Sequence, residues 1–201
     1  MNTIIRILVE SGRWRGGCDN LAAYRGEDSM SVCVRPARPE DSGDILRLLR
    51  LLAAFEGEPD GVVTTEDTIR ADGFGPERRF EALLAEVDGA VRGMAVLYQA
   101  YSSWRGAPTL VVHDLFVDEA ARGTGAGKTL LSAAAALAME RGCCRMDVNV
   151  VAWNAEGRKF YERQGFAALP DWLPHRLDRQ GMERLVGAGR IGGQGGQPPC
   201  G

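Results

Sequence analysis

The sequence predicts a mixed α/β domain in which one central sheet is flanked by helices. Three observations carry that prediction. Strand-like and helix-like apolar runs interleave between residues 31 and 186. Asp88-Gly89 separates two strand-like runs and marks a tight hairpin. The segment Arg122-Gly123-Thr124-Gly125-Ala126-Gly127-Lys128 joins an apolar strand run to a helical run. Glycines at such a bend leave backbone N–H groups unpaired at the positive end of a helix dipole, which suits the bend to phosphate.

The elements follow in chain order. Met30-Ser31-Val32-Cys33-Val34-Arg35-Pro36-Ala37 reads as the first strand. Residues 1–30 include a stretch, residues 12–18, with neither helical nor strand periodicity. They are expected to be an extension outside the domain, with Met30 the true start or edge; an ordered N-terminal arm is the alternative. Pro39-Glu40-Asp41 opens a helix whose apolar face is Ile45, Leu48, Leu49, Leu52 and Ala53. Thr65 caps a short second helix closed by Gly73 and Gly75. Strands are expected over 80–87, 91–101 and 110–117. The alanine- and leucine-rich run after the glycine turn is a helix whose small side chains allow close packing on a sheet. Met146, Val148 and Val150 alternate with Asp147 and Asn149 in a strand over 144–151. Asn154 caps a helix through Gln164, and Gly165 ends it. A last short strand is expected over 182–186, and residues 187–201, rich in glycine and proline, as a disordered tail.

Composition narrows the function. A chain of 201 residues with 45% hydrophobic content is one domain with room for extensions. Its net charge of −3 offers no basic field for nucleic acid. No apolar stretch reaches membrane length. The five cysteines include no CxxC pair, Cys143 and Cys144 are too close for ordinary disulfide geometry, and with only two histidines no metal site is expected. The expectation is a cytoplasmic protein with neither nucleic acid nor membrane as partner.

The glycine turn admits competing readings. A P-loop requires glycine where Arg122 stands, although Gly127-Lys128-Thr129 supplies its end. The dinucleotide pattern Gly-x-Gly-x-x-Gly fails at Lys128. Arg-x-x-Gly-x-Gly fits, as Arg122, Gly125 and Gly127. That arrangement resembles the pyrophosphate signature of the GCN5-related N-acetyltransferases (GNAT), which bind coenzyme A. An ordinary helix start with glycines for the bend is the other reading.

The resemblance extends along the chain. Arg35-Pro36-Ala37, Asp72-Gly73-Phe74-Gly75, Tyr101-Ser102-Ser103-Trp104, His113-Asp114-Leu115-Phe116-Val117, the Arg122 turn, and Trp153-Asn154 through Phe160-Tyr161 occur in one order. Together they look like the spermidine/spermine and thialysine N-acetyltransferase branch over residues 31–186. The resemblance implies a GNAT fold: a single α/β domain with a mixed, mostly antiparallel central sheet. It implies acetyl-CoA as cosubstrate, a small primary amine as acceptor (thialysine-like, lysine-like or a small diamine), direct attack in a ternary complex, and a homodimer. A non-catalytic acyl-CoA-binding module is the alternative function.

The resemblance also distributes roles. Backbone N–H groups of Gly123, Thr124, Gly125, Ala126, Gly127 and Lys128 would hold the diphosphate, with charge from Arg122 or Lys128. Leu115, Phe116 and Val117 would pair through their backbone with the pantetheine arm. Tyr161, seven residues after Asn154 and on the same helix face, would be the acid for the departing thiolate; a core tyrosine is the competing reading. Asn154 would be both cap and cofactor contact. The related polyamine enzymes carry glutamate where this chain has His113, and imidazole, with an ordinary pKa of about 6.5, could serve as the base or else tune the pocket or bind substrate. Strand alternation puts Asp114 on the opposite face, where it orients the pocket or caps a loop. Ser102 replaces an aspartate of the polyamine enzymes, which disfavours a long polycation. Trp104 would pack on a substrate stem or be structural, and Glu56, with Glu58 and Asp60, would draw a cationic amine or be a solvated loop.

Overall fold

The computed structural model describes residues 31–191. The expectation of an extension at residues 1–30 lies outside the described residues, as do residues 192–201. A first compact unit runs through Asn154, and a second begins at Ala155.

The first unit is built on a five-stranded sheet, β1 (Val32–Pro36), β2 (Glu81–Val87), β3 (Ala90–Ser102), β4 (Ala107–Val117) and β5 (Met146–Val148), in spatial order β1-β2-β3-β4-β5. The first three pairings are antiparallel and β4–β5 is parallel, so the sheet is mixed and mostly antiparallel. Asp88 and Gly89 both adopt positive φ (50° and 80°) between the paired residues Val87 and Ala90, the two-residue turn that favours Asp-Gly. The expected strand over 144–151 is shorter, because its pairing with β4 stops at Val112↔Val148.

Helices cover both faces, so β2 is buried at consecutive residues, Ala82, Leu83, Leu84 and Ala85. On one face α1 (Ser42–Glu56) and α2 (Glu66–Phe74) bury Ile45, Leu46, Leu48 and Ile69 against Ala82, Leu84, Met94, Val96 and Phe116. Pro39–Asp41 forms a 3₁₀ turn ahead of α1. There the Asp41 carboxylate accepts from the Arg38 N–H at 2.6 Å and from both terminal nitrogens of Arg35, at 2.7 and 2.9 Å. Arg35 also binds Glu86, which ties the start of α1 to β1 and β2. Thr65 caps α2 by accepting from the Thr68 N–H at 3.2 Å.

The other face is covered by α3 (Ala126–Glu140) through Leu130, Leu131, Ala134, Leu137 and Ala138. The alanines bring it close to the sheet. So does Gly93 in β3, where a Cβ would stand 3.3 Å from the Leu130 side chain and 3.1 Å from the Phe116 carbonyl oxygen. The helix ends in a Schellman motif: Gly142 (φ 66°) donates to the Met139 carbonyl, and Cys143 donates to that of Ala138.

The second unit contains α4 (Ala155–Arg163) and α5 (Arg179–Ile191). Here one expectation is corrected: residues 182–186 are helical, not a strand. Asp178 accepts from the Gly181 N–H at 2.7 Å as a cap, Arg179 pairs with Glu183 one turn on, and Met182, Leu185 and Val186 have helical spacing. The helix continues past Gly187, where composition placed the start of the tail.

Candidate functional site

One continuous stretch of the first unit, from His113 to Lys128, gathers most of the chemistry. It begins with a β-bulge. Val96 pairs with Asp114 while the next residue of β3, Leu97, pairs with Val112, so His113 is the extra residue. The bulge breaks side-chain alternation. Asp114 was expected on the face opposite His113; instead its Oδ2 lies 3.1 Å from His113 Nδ1. With Nδ1 donating to that carboxylate, Nε2 keeps its lone pair available as a proton acceptor. The His113 ring is 61% exposed and tilts against Tyr98, centroids 5.8 Å apart.

At the same point β4 loses its outer neighbour. Pairing with β5 runs from Leu110↔Met146 to Val112↔Val148 and stops, while β3 stays paired with β4 to Val117. Among the described residues Leu115, Phe116 and Val117 therefore present an unpaired strand edge on the β5 side, a template for an extended ligand carrying amides. The Phe116 side chain itself is buried in the α1–α2 core. Its contribution to a ligand is that of its backbone.

The strand then turns into α3. After a 3₁₀ turn at Glu119–Ala121, Arg122 is extended, and Gly123 and Gly125 adopt left-handed φ of 81° and 90°. A Cβ at either glycine would meet no atom within 4 Å. The glycines thus satisfy backbone conformation, not crowding within the chain. The Thr124 hydroxyl donates to the Ala121 carbonyl and accepts weakly, at 3.4 Å, from the Ala126 N–H. The Gly125 carbonyl receives both the N–H and the hydroxyl of Thr129. The N–H groups of Gly127 and Lys128 belong to the first turn of α3, where no intrahelical acceptor exists. That turn has no acidic residue and no side-chain cap. Among the described residues neither Arg122 nor Lys128 has an ion-pair partner. The surroundings fit a diphosphate: N–H groups, two cations, and space where side chains would be.

Arg122 has neighbours that sequence reasoning missed. Its guanidinium carbon lies 5.2 Å from the centroid of the Phe55 ring, and its Nε donates to the Val117 carbonyl at 3.4 Å. Phe55 also meets Trp153, ring centroids 5.7 Å apart and tilted by 50°. Nothing in the local sequence signals a contact between residues so far apart in the chain.

The remaining candidates in this unit lie elsewhere. Ser102 closes β3, is only 9% exposed, and its hydroxyl accepts from the Arg105 N–H and from Arg145, both at 3.4 Å. Asp147 fixes Arg145 through both carboxylate oxygens, at 3.0 and 2.9 Å. Ser102 is thus engaged in the β3–β4 turn, four residues along β3 from Tyr98, or about 13 Å of strand. Trp104, in that turn, is 93% exposed. Glu56 is exposed at the end of α1, which Gly57 (φ 83°) terminates.

Asn154 directly precedes α4. In the second unit Tyr161 is held by the end of its own helix. Gly165 (φ 90°) donates to the Glu162 carbonyl and Phe166 to that of Tyr161, a Schellman motif, and the Phe166 ring packs edge-on against Tyr161 at 5.5 Å. Among the described residues no three His, Cys, Asp or Glu side chains converge as metal ligands, and no helix is long and apolar enough to cross a membrane.

The family model described as the acetyltransferase (GNAT) family matches residues 46–166. The chain is 33% identical over 168 residues to the thialysine N-epsilon-acetyltransferase of Mus musculus, covering 78% of this chain and 98% of that protein. It is 32% identical over 160 residues to spermidine/spermine N(1)-acetyltransferase-like protein 1 of Homo sapiens, 76% of this chain but 23% of that one. Among solved structures, an integron cassette protein from the mobile metagenome of V. cholerae superposes with a TM-score of 0.66 at 22% identity, covering 79% of this chain and 99% of that one.

Proposed function

This chain belongs to the acetyltransferase (GNAT) family, and from that premise we propose that it transfers the acetyl group of acetyl-CoA to the primary amine of a small acceptor by direct attack in a ternary complex. The observation that carries the reading is the succession of features along one stretch of chain: an imidazole on a bulge, an open edge, then a glycine turn into an uncapped helix start. A thioester carrier needs those features in that order, because its diphosphate, its amide-bearing arm and its reacting carbonyl are strung along one chain.

The residues divide the work as follows. The N–H groups of Gly123 to Lys128, with the charges of Arg122 and Lys128, hold the diphosphate. The backbone of Leu115, Phe116 and Val117 pairs with the pantetheine amides and aims the thioester back toward His113. An acceptor ammonium of ordinary pKa, about 10.4, is almost entirely protonated at neutrality and must lose a proton to attack. His113 Nε2 accepts it, while Asp114 holds the opposite ring nitrogen and stabilises the resulting imidazolium. The Tyr161 hydroxyl protonates the thiolate as it leaves, and Asn154 contacts the cofactor. Glu56 and Trp104 contribute to acceptor binding in a homodimer, whereas Ser102 is engaged by Arg105 and Arg145. Among the described residues Cys143 and Cys144 are free thiols, which suits a reducing cytoplasm.

Likeness to thialysine N-epsilon-acetyltransferases supports a lysine-like or thialysine-like acceptor or a small diamine over spermine. So does Ser102, which offers no carboxylate to a second ammonium and already has the Arg145 cation against it. Release of CoA measured with thialysine, lysine, spermidine and spermine tests this. Thialysine or a small diamine should give the highest kcat/KM. Spermine as the best acceptor overturns the preference, and CoA binding with no transfer to any amine replaces the enzyme by an acyl-CoA-binding module.

A further inference from the structure

We propose that Phe55 is a positioning residue for the phosphate anchor: its ring face holds the Arg122 guanidinium beside the turn that leads from β4 into α3. The proposal rests on the reading of the 122–128 turn as the diphosphate site.

The geometry is that of a bridge. Arg122 follows the C-terminal end of β4, and Trp153 follows that of β5. These two parallel strands part after Val112 and Val148, so the segments leaving them have no sheet to hold them together. Phe55, in the last turn of α1, touches both: Arg122 at 5.2 Å and Trp153 at 5.7 Å. Its own backbone is set by a helix whose buried residues Ile45, Leu46 and Leu48 anchor it to the sheet.

The ring is suited to the cation beside it. Arg122 is exposed, is rich in rotamers and lacks an ion-pair partner among the described residues. An unrestrained arginine loses much side-chain freedom when it engages a phosphate. Here two contacts restrain it beforehand, the Val117 carbonyl at the Nε end and the face of Phe55 within cation–π range. Neither contact neutralises the charge, so the guanidinium stays available to an anion. Trp153 also packs on the Phe55 ring. A leucine at position 55 would keep bulk and lose the π face; tyrosine or tryptophan would keep both.

The test compares two donors. Acetyl-CoA carries the diphosphate, whereas acetylpantetheine carries the same reacting group and arm without it. Phe55→Leu should lower kcat/KM for acetyl-CoA by about two- to fivefold, through KM and not kcat. It should leave acetylpantetheine unaffected, and Phe55→Tyr should restore the acetyl-CoA value. In an Arg122→Ala background, Phe55→Leu should have no further effect. Unchanged or tighter acetyl-CoA use by Phe55→Leu overturns the proposal. So does an equal loss with both donors, or a loss that persists without Arg122. Wild-type protein that binds no CoA in titration calorimetry instead removes the underlying reading of the turn, an outcome distinct from all of these.

Discussion

Replacing Gly125 by alanine separates the conformational work of the glycine turn from its proposed chemistry. Gly125 has φ 90°, ψ −3° and stands at the N-cap of α3. A Cβ there meets nothing within 4 Å, so the cost is conformational, about 1–2 kcal/mol for an L-residue in the left-handed region. Gly142, at the opposite end of the same helix, has φ 66° and equally open surroundings. Gly142→Ala should therefore destabilise by a similar amount, which in a chain of this length is a fall in Tm of a few degrees. The two variants should part in CoA titration calorimetry. If Gly125→Ala relaxes toward negative φ, the N–H groups entering α3 rotate away from the ligand. Loss of even one charge-assisted hydrogen bond, about 1.5–3 kcal/mol, then weakens CoA at least about tenfold. Gly142→Ala should bind CoA like the wild type. Gly125→Asn should recover part of the affinity, because asparagine tolerates the left-handed region. If Gly125→Ala loses stability yet binds CoA with unchanged affinity, the amides of this turn do not hold the diphosphate.

Three further outcomes are expected. His113→Gln should lower kcat/KM by about 10²-fold or more while CoA affinity in titration calorimetry stays that of the wild type; near-normal turnover removes His113 as base. Tyr161→Phe keeps the ring that packs against Phe166, so the fold should hold while kcat falls by about 10²-fold or more; near-normal turnover ends the acid role. The hydrogen bonds from Arg35 hold the Asp41 carboxyl below the ordinary carboxylate range, so Asp41 stabilises the fold above its unfolded pKa, and that contribution fades as pH falls through the lowered value. Asp41→Asn should cost about 1.5 kcal/mol in urea denaturation at pH 7, and the difference from wild type should shrink in strong acid; an equal difference at both pH values contradicts the linkage.

Several site features were legible because they are local. The glycines at 123 and 125 mark left-handed backbone whatever surrounds them, and Gly165 marks the end of α4 for the same reason. Asp88-Gly89 encodes a hairpin within two residues. The helix at α5 was misjudged although its signals, the Asp178 cap and the spacing of Met182, Leu185 and Val186, were also local. A short apolar run among glycines does not distinguish strand from helix by periodicity.

By itself the amino-acid sequence determined the order of elements as far as α4, the glycine turn and the family, since backbone sterics and apolar periodicity act over a few residues and motifs persist in order. The tertiary structure alone decided which side chains meet. The bulge that brings Asp114 onto His113 exists only because β3 and β4 pair in a shifted register, and strand alternation predicts the opposite. The cluster of Phe55, Arg122 and Trp153 joins three segments remote in the chain, and Ser102 is occupied by Arg145, from the segment that precedes β5. Such contacts depend on how the strands diverge and the helices pack, a property of the whole sheet that no local run of residues carries.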